Sequence, residues 1–244
     1  MKTICLRQVM VEFGAVFPCY NNKKATEFVL DNFRKSFPDN PILLISDGGL
    51  DFSDLAEKYS CHYRWRENIF GNAENGYNRD YYNAYRTLEF FKRHKLACDL
   101  CETEYMMFLE DDVWIRQPFK LDKPFALKGV RIGGTMPRNM RRDCLEQGGL
   151  DIERYGMCGG SMYNVEIFLS IYDDIIKDIT ENQDKLIEEH SYPGGYKGLG
   201  IVDMCTVYHF GKRGHKYQSA EWLGEVREPN YMDYPVVHQW KEHY

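Results

Sequence analysis

The segment Ile42-Leu43-Leu44-Ile45 is apolar at every position and stands directly behind Pro41, so a strand built from it must be covered on both faces. A second run of this kind, Tyr105-Met106-Met107-Phe108-Leu109, follows later in the chain. Strands buried on both faces belong to parallel sheets, and parallel neighbours need a crossover, usually a helix. The sequence supplies the crossovers. A first strand from Val11 to Pro18 leads through Asn21 and Asn22, as turn and capping residues, into a helical pattern from Ala25 to Phe37. Its expected buried stripe is Phe28, Val29, Asn32, Phe33 and Ser36. A second helix is expected from about Ser53 to Tyr59, ahead of His62-Tyr63-Arg64-Trp65, and a long amphipathic helix from about Arg79 to Lys95. The expected fold class is therefore α/β, with a mainly parallel central sheet flanked by helices.

Strand and helix signals alternate to about residue 115 and become irregular beyond it. With no repeat, low-complexity tract or linker, the expectation is one domain over 1–244, its halves lying at about 11–118 and 119–244. Thirty-one Lys and Arg against thirty-seven Asp and Glu, without a long block of one sign, argue against a nucleic-acid partner. No apolar run reaches the roughly 18 residues of a membrane span, and Met1-Lys2-Thr3 does not open a secretory signal. A soluble cytoplasmic protein is expected, its cysteines reduced. Eight cysteines are too few for a disulfide scaffold of this length, and Cys98-x-x-Cys101 has no second pair at zinc-site spacing.

On open parallel sheets, ligands lie beyond the carboxyl ends of the strands. Three polar clusters fall there: Cys19 to Asn22, Asp47 to Gly49, and Glu110-Asp111-Asp112. Three consecutive carboxylates repel one another, and a divalent cation removes the conflict. Hard oxygen donors suit Mg²⁺ or Mn²⁺. Alternation along a strand sends Glu110 and Asp112 one way and Asp111 the other, with Asp112 the expected direct ligand. Taken alone, the same residues also describe a helix cap or a solvated acidic turn.

In their order and spacing these segments resemble the GT-A glycosyltransferases, particularly the large inverting family that uses nucleotide sugars. Ala15-Val16-Phe17-Pro18-Cys19-Tyr20-Asn21-Asn22 corresponds to the first strand and its turn, Ile45-Ser46-Asp47-Gly48-Gly49 to the end of the second strand, and Phe108-Leu109-Glu110-Asp111-Asp112-Val113 to the Asp-x-Asp segment, with Glu110 replacing the first Asp. The resemblance implies a GT-A, Rossmann-like fold with a smaller, irregular acceptor-binding half. It also implies a UDP-sugar donor, Mn²⁺ or Mg²⁺, and a glycan or other hydroxyl acceptor. Pro18 and Tyr20 would line the base and ribose, with Asn22 and Gly48 beside them, and Asp47 would accept a hydrogen bond from the base. Arg79 would lie near the diphosphate. Glu110 and Asp111 would border the donor, with Glu110 also placed to reach the metal.

The likeness extends more loosely into the second half. Gly156-Met157-Cys158-Gly159-Gly160-Ser161 resembles the small-residue segment where the donor sugar approaches the backbone, which places Gly160 and Ser161 in the donor site. Ser191 to Gly200, with four glycines and one proline, has the composition of a loop that closes over a site. Asp203 stands where inverting members carry the general base, although Val202 replaces the acidic residue usual before it. The resemblance makes His238 a metal ligand and Lys241 a cation near the leaving phosphate. A retaining transferase and a non-catalytic nucleotide- or sugar-binding module of the same fold remain open alternatives. Aromatic residues more often fill the core, and Trp65 and Trp222 are the two candidates for an exposed face on which a sugar could stack.

Overall fold

Every second residue of the central strands faces the same layer of the protein, and the pattern is visible in which side chains pack together. In the computed structural model, which describes residues 11–66, 84–133, 154–156, 159–181, 206–207, 209–226 and 229–239, four strands form the parallel part of the sheet. They are β1 (Phe13–Cys19), β2 (Ile42–Asp47), β3 (His62–Arg66) and β4 (Tyr105–Phe108). Their order is β3-β2-β1-β4, so the chain leaves β1 first to one side and later to the other. Val16, Leu43, Ile45, Met106 and Phe108 join one apolar layer with helices α3 (Ala84–Cys101) and α4 (Val165–Glu181). Ala15, Phe17, Ile42, Leu44 and Met107 join the opposite layer with α1 (Lys23–Ser36) and α2 (Ser53–Lys58). Coverage on both faces is what the continuous apolar runs required.

The parallel arrangement stops at β4. Beyond it β8 (Met162–Asn164) pairs antiparallel with β4, and β6 (Leu127–Gly133) antiparallel with β8, with β7 (Arg154–Gly156) and β9 (Tyr217–Ser219) both paired to β6. A separate three-stranded sheet, β10 (Leu223–Glu225), β11 (Val236–His238) and β5 (Val113–Ile115), packs against the α1 side. Because β5 follows directly on the acidic turn, this small sheet brings the C-terminal part of the chain to the end of β4.

Several sequence expectations are corrected. Helix α1 starts at Lys23, two residues before Ala25, because the Asn22 side chain accepts the Ala25 backbone N–H at 3.1 Å and so caps it. Its buried stripe is Ala25, Thr26, Val29, Leu30 and Phe33; Phe28 is exposed at the edge, against Trp114, and Asn32 and Ser36 are only half-buried. Helix α3 runs past Lys95 to Cys101, with Cys98 and Cys101 turned into the core, where burial pushes each thiol up to about 12. These are inert packing residues. Residues 79–83, where the sequence placed the start of this helix, lie outside the described residues. Trp222 is 1% exposed and is a core residue, whereas Trp65, on the edge strand β3, is 57% exposed. Among the described residues, no helix is long and apolar enough to cross a membrane.

Candidate metal and donor site

The sheet order reverses between β1 and β4, and a crevice opens beyond the strand ends at such a point. After Phe108 the chain turns through Glu110-Asp111-Asp112, closed by a hydrogen bond from the Val113 N–H to the Glu110 carbonyl at 3.3 Å. Glu110 and Asp112 converge on His238. The imidazole Nε2 lies 3.5 Å from Glu110 Oε2 and 3.4 Å from Asp112 Oδ1. Asp111 is not part of this cluster; burial, and after it the Asp111 charge, raise the Cys19 thiol at the end of β1. Glu110 and Asp112 are separated from Asp111, as expected, but by a turn beyond β4 and not by alternation along a strand.

The small sheet holds His238 in place. His238 stands opposite Val113 in the antiparallel β11–β5 pairing, and the next residue, Gln239, donates its backbone N–H to the Asp112 carbonyl at 2.8 Å. On the other side β11 pairs parallel with β10, in a register that sets Glu225 beside His238. Glu225 Oε1 lies 3.1 Å from His238 Nδ1, and both side chains are buried. Glu110 is anchored separately, accepting the Gly159 backbone N–H on Oε2 at 2.6 Å. Only glycine fits there, since a Cβ on Gly159 would lie 2.2 Å from a Val113 methyl. Gly160 has φ +94, donates to the Phe108 carbonyl at 2.7 Å, and accepts the Trp222 indole N–H at 2.9 Å. Ser161, fully buried, accepts the Phe108 N–H on its carbonyl at 2.9 Å. The Gly159-Gly160-Ser161 turn is thus stitched directly to the end of β4.

Glu110, Asp112 and His238 offer ligand atoms that all lie within 4.8 Å of one another. Two carboxylate oxygens and an imidazole nitrogen at this spacing fit one divalent cation, with further positions left for water or phosphate oxygens. The donor set passes the test of chemistry as well as distance.

The ends of β1 and β2 form the neighbouring wall. Leu50 N–H donates to the Tyr20 carbonyl at 2.8 Å, and the Gly49 backbone approaches so closely that a Cβ there would sit 2.2 Å from that oxygen. Gly48, with φ 74, makes the turn. Pro18 and Tyr20 are half-buried. Asn22 uses its amide oxygen as the α1 cap. Asp47 is buried against the Arg93 guanidinium from α3, so any hydrogen bond to a base would share the carboxylate with Arg93. Arg79, Asp203, Lys241 and the Ser191 to Gly200 segment lie outside the described residues.

Sequence reasoning missed Arg93 and Glu225. A signal existed for Glu225, a charged residue within the otherwise apolar run Trp222-Leu223-Gly224-Glu225-Val226. Arg93 lies beside His94 and Lys95 in a helix where basic residues are ordinary, and nothing local sets it apart.

No family model matches the chain, and no curated protein matches it. Among solved structures, the crystal structure of the galactosyltransferase LgtC, in complex with donor and acceptor sugar analogs, is similar over 92% of this chain and 86% of that one. The identity is 15% and the TM-score 0.50, so the likeness is one of fold. Together with the β3-β2-β1-β4 order and the acidic turn at the end of β4, it shows that this chain has a GT-A-like fold.

Proposed function

We propose that this protein is a glycosyltransferase that moves a sugar from a nucleoside diphosphate sugar, most simply a UDP-sugar, to a hydroxyl group of a glycan or similar acceptor. The observation that carries the reading is the meeting of Glu110, Asp112 and His238 beyond β4, at the strand-order reversal of a GT-A-like sheet. The solved structure it resembles bears a galactosyltransferase's name and holds donor and acceptor sugar analogs, which supports the same class of chemistry here.

In this reading Asp112, His238 and Glu110 hold a divalent ion, Mn²⁺ or Mg²⁺. When bound, the ion would neutralise charge developing on the departing diphosphate. The chain itself supplies the remaining parts. Pro18, Tyr20 and the Gly48-Gly49 turn border the base and ribose, and the Asp47–Arg93 pair forms the floor on that side. The Gly159-Gly160-Ser161 turn presents backbone to the sugar while its N–H fixes Glu110. Asp203 serves as general base: it takes the proton of the acceptor hydroxyl as that oxygen bonds to the anomeric carbon and the bond to the diphosphate breaks. Arg79 and Lys241 would supply positive charge near the phosphates. Attack opposite the leaving group inverts the anomeric centre.

Incubation with a panel of UDP-sugars and Mn²⁺, followed by measurement of UDP release and product formation, tests the class. The configuration of the product by NMR tests inversion, which retention would contradict. Asp203→Asn should abolish transfer while leaving UDP binding nearly intact; an unchanged rate would remove Asp203 from the base role.

A further inference from the structure

We infer that Glu225 is a positioning residue that fixes His238 with Nε2 toward the two carboxylates, and thereby makes the site prefer a first-row transition ion such as Mn²⁺ to Mg²⁺. This rests on the metal-centre reading above. Neutral imidazole has one N–H and one lone pair, and the group bound to one nitrogen decides which is which. An ionised carboxylate only accepts, so Glu225 Oε1, 3.1 Å from Nδ1, keeps the proton there and leaves the lone pair on Nε2. That nitrogen is the one 3.5 Å from Glu110 Oε2 and 3.4 Å from Asp112 Oδ1.

The placement is built into the backbone. Glu225 and His238 are register partners on adjacent parallel strands, so their side chains leave the same face, and β11 is held between β10 and β5. A packing role would be filled better by an apolar side chain, since burying a carboxylate is costly unless a specific partner answers it. Nitrogen donors favour first-row transition ions over Mg²⁺, which binds through oxygens and water. A carboxylate behind the imidazole strengthens that preference by raising the basicity of the ligand nitrogen.

The test is Mn²⁺ binding by the metal-stripped full chain without nucleotide, with Mg²⁺ as competitor. Free Mn²⁺ is followed by EPR, and a directly coordinated nitrogen is sought by spin-echo modulation. Wild type should bind Mn²⁺ with a coordinated nitrogen. Glu225→Gln should bind Mn²⁺ about 10- to 100-fold more weakly, with the nitrogen signal diminished and Mg²⁺ affinity little changed. Equal Mn²⁺ affinity with the signal intact, or equal loss of both ions, would overturn the role of Glu225 and leave the metal centre standing. Wild type that binds no Mn²⁺, or binds it without nitrogen, would overturn the metal-centre reading and Glu225 with it. A measurement on wild type alone avoids dependence on the variant's folding: in Cd²⁺-loaded protein with ¹⁵N-labelled histidine, NMR should find His238 protonated at Nδ1 and metal-bound at Nε2. The reverse arrangement would overturn the proposal.

Discussion

The ends of β2 and β4 flank the end of β1, and each buries an aspartate in a different way. At β2, Asp47 meets the Arg93 guanidinium, both side chains about 5% exposed or less, and the chain answers the charge from within. At β4, Asp112 and Glu110 meet a single imidazole whose far nitrogen faces a further carboxylate, Glu225. A buried acid is thus no evidence of a metal by itself. Carboxylates converging with a nitrogen donor, at distances that one ion can span, make the second site different.

Removing one partner from each site should give opposite results. Arg93→Met leaves Asp47 buried against an apolar chain and should cost about 3–5 kcal/mol in urea unfolding. Adding Asp47→Leu should restore most of that loss. A single variant as stable as wild type would mean that the pair does not close the end of β2. Asp112→Ala should leave the metal-free protein nearly as stable, but should erase a metal-dependent gain of about 2.7 kcal/mol at one hundred times the dissociation constant. Stability that responds to Mn²⁺ equally in both proteins would collapse the distinction between the two strand ends.

Smaller effects sharpen the contrast. A methyl group on Gly159 would collide with Val113 and press on the Glu110 side chain, so Gly159→Ala should cost about 1–3 kcal/mol and weaken Mn²⁺ binding. Normal Mn²⁺ affinity in that variant would argue that Glu110 is not a ligand. His94 offers the histidine counterpart. It is packed by Phe90, Phe108 and Tyr163, with Nδ1 2.9 Å from the Tyr163 hydroxyl, and burial pushes its pKa down to about 3. The unfolded chain takes up this proton below about 6.5 while the folded protein refuses it, so stability is full above that pH and falls as pH drops toward 3. His209, also lowered to about 3 by burial, acts in the same direction. His94→Gln should make that slope shallower by one proton, about 1.4 kcal/mol per pH unit. Unfolding curves at several pH values check this, and an unaltered slope would contradict a buried neutral His94.

The parallel part of the sheet was legible because its strands are apolar throughout and the helices between them carry caps and periodic stripes. The acidic turn was legible because three consecutive carboxylates stand directly behind an apolar strand, although its geometry comes from a turn and not from strand alternation. Local pattern could not show the rest. Phe28 has the spacing of a core residue, yet Trp114 from a strand far along the chain meets it at the surface. Trp222 looked available for stacking, but the small sheet folds it under Phe119 and Phe125. Arg93 reaches Asp47 only because α3 packs across β2, and Glu225 reaches His238 only because β10 and β11 pair in one register. Such partners depend on which distant strands become neighbours, and no periodicity records that.

Thermal unfolding with UDP and Mn²⁺, separately and together, in wild type and Asp112→Ala, tests the central claim most directly. The account predicts that UDP raises the wild-type melting temperature by about 5–10 °C near saturation when Mn²⁺ is present, much less when it is absent, and that in the variant Mn²⁺ adds nothing to the effect of UDP. No shift with nucleotide and metal together, or a shift undiminished in Asp112→Ala, would contradict a metal-assisted nucleotide site at the end of β4.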